Sequence, residues 1–395
     1  MAGRLLSCPE AGASGDAEDM EGGENEGQHG RIGRRGGRGA MRFVRTDRLA
    51  PGMVAARAVR RGRDLMLAAN KPLTEAAIKA MDRGGCRGAY VYDEYSGYGG
   101  LPELIDEGTR MQAVEALESL DTDKVQYLAN DIVGGLMEKG SALMVDLSQL
   151  SVYDQGTYEH SVNVALTATA CGAGLGLSNE ELCRLAAGAL LHDCGKRAVD
   201  KRILNKPGKL TPEERAIMER HTQYGYDMLY NRSEIRAESR ACALCHHENA
   251  DGSGYPKGLA GGEIPPLAMI VHVADVYDAL VKKRSYKPGF CQSEAVEYLM
   301  GGCGTLFDLE CVRSFLKYIA VYPVGCDVEL SDGRRGRVVA NTPGHAARPT
   351  VVCGGKVLDL ASDRSLLSVT VAREVTEDDD QEVDAEGGDG DALAA

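Results

Sequence analysis

A chain of 395 residues, 43% of them hydrophobic, can bury one sizeable core with small satellites, and its totals exclude a fibre. The formal charge of −14 sits mostly at the ends: Glu374 to Ala395 holds ten acids and no Lys or Arg, and Met1 to Ala40 holds seven acids against five Arg. The stretch between is nearly neutral, so the acidity describes a solvated tail and not a ligand preference.

Twelve cysteines are dispersed, mostly inside apolar helical patterns, which argues against a small disulfide scaffold and for free thiols in a reducing compartment. No leader pattern opens the chain, and no apolar run approaches the ~18 to 20 residues of a spanning helix, so the expected location is cytoplasmic, away from any membrane.

In chain order, residues 1–40 have almost nothing to bury and are expected to be disordered, or to precede a true start at Met41. The tract "GRIGRRGGRG" within them has the composition of an RNA-binding Arg/Gly segment, but nucleic acid is not the expected partner. Residues 41–95 read as a small α/β domain: short strands in "MVAARAVRRGRDLML", a helix at about Thr74 to Asp82, and a strand at "GAYVYD". Gly97, Gly99, Gly100 and Pro102 mark a linker over 96–108. Residues 109–320 are helical in pattern, with capping boxes at Ser178 with Glu181 and at Thr211 with Glu214. After Pro323 the period changes to two. Residues 321–373 are expected to form a small β module with a turn at Asp332-Gly333 and strands at "TVVCGG" and "SLLSVTVA". An acidic disordered tail, 374–395, follows.

Chemistry concentrates in the helical part. His160, His192, His221, His246 and His247 lie at or within helix patterns, Asp193 follows His192, and Asp275 sits in the apolar helix "PLAMIVHVADVYDAL". One such histidine is ordinarily a satisfied core residue; five, with two aspartates, are hard to explain as core. Imidazoles and carboxylates are what Mn, Fe or Zn accept. A shared aspartate can bridge two ions ~3.5 to 4 Å apart, which acidify a water and clamp a phosphate. The chemistry suggested is phosphoester hydrolysis.

"HSVNVA" at His160, "LLHDCGK" at Leu190 to Lys196, "ILNKPGKLTPEE" from Ile203, His221, "HHENADGSGYPKGL" from His246, Ile264-Pro265 and "ADVYDAL" from Ala274 together resemble the HD-GYP subgroup of HD-domain phosphohydrolases over about Tyr153 to Tyr318. The flanks "RLAPGMV" and "VYPVGCDVELSDGRRGRVV" resemble modules that accompany that domain. The resemblance implies a mainly α protein: an all-helical HD-type metal-dependent domain with the small N-terminal α/β unit and the C-terminal β module. It implies a phosphodiesterase that opens cyclic di-GMP to pGpG, in some members going on to GMP, with two divalent ions, Fe or Mn.

Carried over by position, His160, His192, Asp193 and Asp275 would hold one ion, and Asp193 would also reach a second held by His221, His246 and His247. Asp193 and Lys196 would be catalytic, with Lys196, Arg284 and Lys287 on the substrate's phosphates and guanines. Lys282, Lys283, Arg284 and Lys287 equally fit a solvated cationic helix end. Tyr255 could stack on a base or anchor its loop, whose glycines would let backbone approach a flat ligand; Glu248 could orient a ligand histidine. A homodimer, or a signalling partner acting through the N-terminal domain, fits the same resemblance.

Two positions depart from the family pattern. Gly156 stands where members with three metals have an acid, so two ions are expected, and Ser285 stands where proline is usual. "CALCH" at Cys242 to His246 fits haem attachment or a Cys-Cys metal site, but buried helical thiols are favoured. Gly172, Gly174 and Gly176 read as a helix end and turn, and His272 as core. A non-catalytic cyclic-dinucleotide receptor, and a hydrolase of another nucleotide, remain alternatives.

Overall fold

A computed structural model describes residues 41–61, 64–83, 86, 88–92, 105–139, 157–281 and 292–375. Residues 1–40 and 376–395 of the expected tails, most of the 96–108 linker, Gly156, Lys282, Lys283, Arg284, Ser285 and Lys287 lie outside the described residues.

Strand β1 (Met41–Arg45) pairs antiparallel with β4 (Gly88–Tyr92), Phe43 opposite Tyr90. Between them come the hairpin of β2 (Val59–Arg61) and β3 (Asp64–Leu67) and the helix α1 (Glu75–Arg83). The Thr74 hydroxyl caps α1 by accepting from Ala77 N at 3.1 Å. Val44, Leu49, Ala55, Val59, Leu73, Met81 and Val91 close a core of their own. Strands, capped helix and core together make a small α/β unit.

The helical part runs α2 (Glu107–Ser119), α3 (Thr122–Lys139), α4 (Thr157–Gly174), α5 (Asn179–Leu191), α6 (Lys201–Leu204), α7 (Pro212–Glu219), α8 (His221–Tyr230), α9 (Ala237–Cys245), α10 (Pro266–Val281), α11 (Gln292–Gly301) and α12 (Leu309–Tyr318). α4 is buried all round and mostly small, its apolar Val162, Ala165, Ala168, Ala170 and Cys171 interleaved with buried Asn163, Thr167 and Thr169. A helix with that surface must be enclosed, and α5, α10 and α12 pack around it. Small side chains let these axes approach, so residues on three different helices can share one site. α4 ends in the turn expected from its glycines, Gly176 taking φ +81°.

Both capping boxes are formed: Ser178 with Glu181 starts α5, and Thr211 with Glu214 starts α7 behind Pro212. With its start fixed, α5 buries Leu182, Leu185, Leu190 and Leu191, each worth about 1.5–3 kcal/mol of transfer free energy. It ends where its sequence turns from Leu to His-Asp.

A five-stranded antiparallel sheet, ordered β8-β7-β6-β5-β9, closes the fold: β5 (Asp327–Leu330), β6 (Arg335–Ala340), β7 (Thr350–Cys353), β8 (Lys356–Asp359) and β9 (Val371–Glu374). Gly333 takes φ +83° in the turn expected at Asp332-Gly333. The Gly354-Gly355 pair, both at positive φ, makes a two-residue hairpin into β8, a strand the sequence reading passed over. Glu374 pairs with Val328, so the sheet runs one residue past the expected boundary at 373. Among the described residues, no helix is long and apolar enough to cross a membrane.

Candidate metal centre

Four helix ends and one helix interior converge on one point. His192 and Asp193 directly follow α5, His221 opens α8, His246 and His247 follow α9, His160 lies in the first turn of α4, and Asp275 lies in α10. These seven side chains form two groups, Asp193, His221, His246 and His247 in one and His160, His192 and Asp275 in the other. Within each group the potential ligand atoms lie within 4.8 Å of one another.

Backbone carbonyls fix three of the rings. His192 Nδ1 donates to Ala189 O at 2.7 Å, His221 Nδ1 to Met218 O at 2.7 Å, and His246 Nδ1 to Cys242 O at 2.9 Å. A proton committed to Nδ1 leaves Nε2 as a lone pair, and all three Nε2 atoms turn inward. His221 Nε2 and His246 Nε2 stand 3.4 Å apart, two acceptors with no proton to share, an arrangement that calls for a cation. Among the described residues neither His192 Nε2 nor Asp193 Oδ1, both buried, has a hydrogen-bond partner. Such orphaned acceptors are costly unless something positive completes them.

Asp193 links the groups. Its Oδ2 lies 3.4 Å from His192 Nε2 and 3.9 Å from His160 Nε2, and its Oδ1 lies 3.5 Å from His221 Nε2 and 3.7 Å from His246 Nε2. Two ligands each about 2.1 Å from one ion can be no more than about 4.2 Å apart, so every one of these separations fits a shared cation. Asp275 Oδ1 sits 2.9 Å from His160 Nε2 and 3.8 Å from His192 Nε2, while its Oδ2 is 3.9 Å from His247 Nδ1.

Charges follow the burial. Desolvation pushes His221 down to about 4 and His247 well below the usual imidazole range. Burial opposes ionisation of Asp193 and Asp275, yet Lys196 and His192 hold the first, and His160 the second, well below the ordinary carboxylate range. For His160, burial is outweighed by Asp275 and Asp278, which raise it to about 10, so a proton competes with any cation at that ring. Neutral imidazoles beside anionic carboxylates are the donor set that divalent transition metals select. The residues therefore fit the ions the sequence implies.

Sequence reasoning missed Asp278. Its Oδ2 lies 2.6 Å from His160 Nδ1, and its Oδ1 accepts from Asn163 Nδ2 at 3.0 Å. The signal was present: Asp275 and Asp278 are three apart in an otherwise apolar helix, hence on one face, and a buried carboxylate needs partners.

Lys196 sits in the 3₁₀ turn Cys194–Ala198 with Nζ 2.5 Å from Asp193 Oδ2, its side chain a quarter exposed at 26%. Tyr255 stacks on His247, ring centroids 4.7 Å apart and planes 26° from parallel. One face of the ring is thus taken up in packing. Glu248 corrects its expected role: its carboxylate accepts from Lys257 N at 2.8 Å and Leu259 N at 2.9 Å, so it ties down the loop and not a ligand imidazole. The loop's Gly254 likewise serves an internal approach. A Cβ there would stand 2.3 Å from Asn249 N and 2.4 Å from His247 O, so the backbone folds back on the paired histidines. Cys242 and Cys245 are buried free thiols, and burial pushes both up, Cys245 to about 11. His272 is buried with its ring 5.1 Å from Phe307.

Residues 146–311 match the family model described as HD domain. A cyclic di-GMP phosphodiesterase of Pseudomonas aeruginosa is 39% identical over 222 residues, 56% of this chain and 53% of that protein. A 3'3'-cGAMP-specific phosphodiesterase of Vibrio cholerae is 37% identical over 218 residues, 52% of this chain and 41% of that protein. The chain thus spans about half the length of these curated relatives. Among solved structures, an HDG"Y"P protein from Bdellovibrio bacteriovorus is 20% identical with a TM-score of 0.47, covering 70% of this chain and 98% of that one.

Proposed function

We propose that the chain is a metal-dependent phosphodiesterase of the HD-GYP kind that opens cyclic di-GMP to the linear dinucleotide, a reading supported by the HD-domain match over 146–311 and by relatives named as cyclic di-GMP phosphodiesterases. The observation that carries the reading is the Asp193 carboxylate, which turns one oxygen to each of two imidazole groups.

His160, His192, Asp275 and Asp193 Oδ2 would hold one divalent ion, and Asp193 Oδ1 with His221, His246 and His247 a second, Fe or Mn as the family resemblance implies. Bound cations would supply acidification of a water and neutralisation of phosphate charge. Everything else falls to the chain. Backbone carbonyls behind His192, His221 and His246 keep three lone pairs aimed before any ligand arrives, so no reorientation is needed at the moment of reaction. Lys196 adds a positive charge at the exposed rim, where an entering phosphodiester would place its oxygens. Tyr255 and the loop held by Glu248 keep His247 in register.

The test is a turnover assay on anaerobically purified full-length protein with Mn²⁺ or Fe²⁺, offering cyclic di-GMP, cyclic GMP-AMP and cyclic di-AMP and separating products by chromatography. Linear pGpG is the expected product. Asp193→Ala should lower turnover by roughly 100-fold or more, together with metal content, since even groups that merely support a ligand are worth ~10 to 100-fold. Unchanged hydrolysis in that variant, or tight binding by the wild type with no linear product, would overturn the assignment; the latter result would make the chain a receptor.

A further inference from the structure

The support behind His160 begins outside the residues that match the HD domain. Arg110, in α2, donates from Nη1 to Asn163 Oδ1 at 2.9 Å; Asn163 Nδ2 donates to Asp278 Oδ1 at 3.0 Å; and Asp278 Oδ2 lies 2.6 Å from His160 Nδ1. Asn163, Asp278 and His160 are all buried. Every link has one possible direction. A guanidinium can only donate, so the Asn163 oxygen faces it; the amide nitrogen then faces a carboxylate, which accepts. The carboxylate in turn accepts from His160 Nδ1, which turns Nε2 toward Asp275 Oδ1, 2.9 Å away. Buried chains of this kind polarise along their length, and a terminal cation strengthens each bond.

We propose that Arg110 is a positioning residue of the metal centre, acting through Asn163 and Asp278 to orient the imidazole of His160. The proposal rests on the metal-dependent reading above. It adds that α2, which precedes residues 146–311, completes the site. Movement of α2 would then change metal affinity without touching a ligand.

The experiment is a Mn²⁺ titration of the full chain, followed by calorimetry and by the electron paramagnetic resonance signal of free Mn²⁺, with the thermal midpoint of the metal-free protein measured alongside. Arg110→Ala should weaken Mn²⁺ binding by about ten-fold, within the range known for groups that orient a metal-ligating histidine, and Arg110→Lys should recover part of it. In the double variant Arg110→Ala with Asp278→Asn, affinity should be no lower than in Asp278→Asn alone, because both changes cut one chain. A purely structural role for Arg110 would lower the thermal midpoint and leave the affinity of the folded protein intact, which would overturn the proposal. So would additive losses in the double variant. Asp193→Ala separates the two levels: if it too binds Mn²⁺ like the wild type, the metal reading itself fails, whereas lost binding there with normal binding in Arg110→Ala sinks only the positioning role. Should Arg110→Ala not fold, Asn163→Ala cuts the same chain one link further in, and normal affinity in that variant is equally fatal.

Discussion

His247 is the most exposed ring of the cluster, its side chain 21% accessible, and among the described residues it has no carbonyl contact like those that fix His192, His221 and His246. Its restraint is the stacked Tyr255, an aromatic contact worth about 0.5–1.5 kcal/mol beyond buried area. Two variants separate ring from hydroxyl. Tyr255→Phe keeps the stacking and should turn over within about two-fold of the wild type, whereas Tyr255→Ala frees His247 and should lose about ten-fold in Mn²⁺ affinity and turnover together. Equal losses in both variants, measured by steady-state kinetics and metal titration, would move the role from the ring to the hydroxyl. The ligand candidates were legible at this scale because five histidines and two aspartates gathered in helical patterns are hard to explain as core, although any one of them is not. Asp278 and the actual partners of Glu248 were not, since a carboxylate's hydrogen bonds depend on which backbone the fold brings past it. The contacts of Arg284 and Lys287 belong to residues outside the description.

The turn that carries Lys196 is held against α8 at a distance only glycine permits. A Cβ on Gly195 would stand 1.9 Å from His221 O and 2.4 Å from Gly225 N, both backbone atoms with nowhere to go. Gly195→Ala should therefore cost about 3 kcal/mol, the upper end for overpacking, and should abolish turnover as well, because the displaced elements bear Asp193, Lys196 and His221. Ser178→Ala provides the contrast. It removes the box that starts α5, should lower stability by about 1 kcal/mol, and should leave kcat unchanged, since the ligands lie at the other end of that helix. Urea unfolding with parallel kinetics distinguishes them; a stable, active Gly195→Ala protein would contradict the close approach. Element by element, caps and periodicity carried most of the fold: α5 and α7 start at the residues their boxes name. What they could not carry was β8, four residues long with a charge at each end, too short for alternation to register.

Separate hydrophobic clusters lie in the α/β unit, the helical part and the sheet, and the helix-like and strand-like stretches could be read without a structure. How the sheet meets the helices could not. Composition assigns Glu374 to the acidic tail, yet it ends β9 and lies beside Ser293 and Glu294 of α11. Burial raises it to about 7; hydrogen bonds from Ser293 oppose the shift and the Glu294 charge adds to it. An unfolded chain would titrate the same group near 4.3, so between those values the folded state binds the extra proton. Its contribution to stability is complete below about pH 4.3 and is lost as pH rises through about 7. Glu374→Gln removes the titration while keeping the shape. Relative to the wild type it should be neutral near pH 4 and more stable by roughly 1–3 kcal/mol near pH 8. Thermal unfolding across that range is the measurement. A difference that does not change with pH, or one that favours the wild type in alkali, would mean that this carboxylate is solvated and that the sheet does not enclose it against α11.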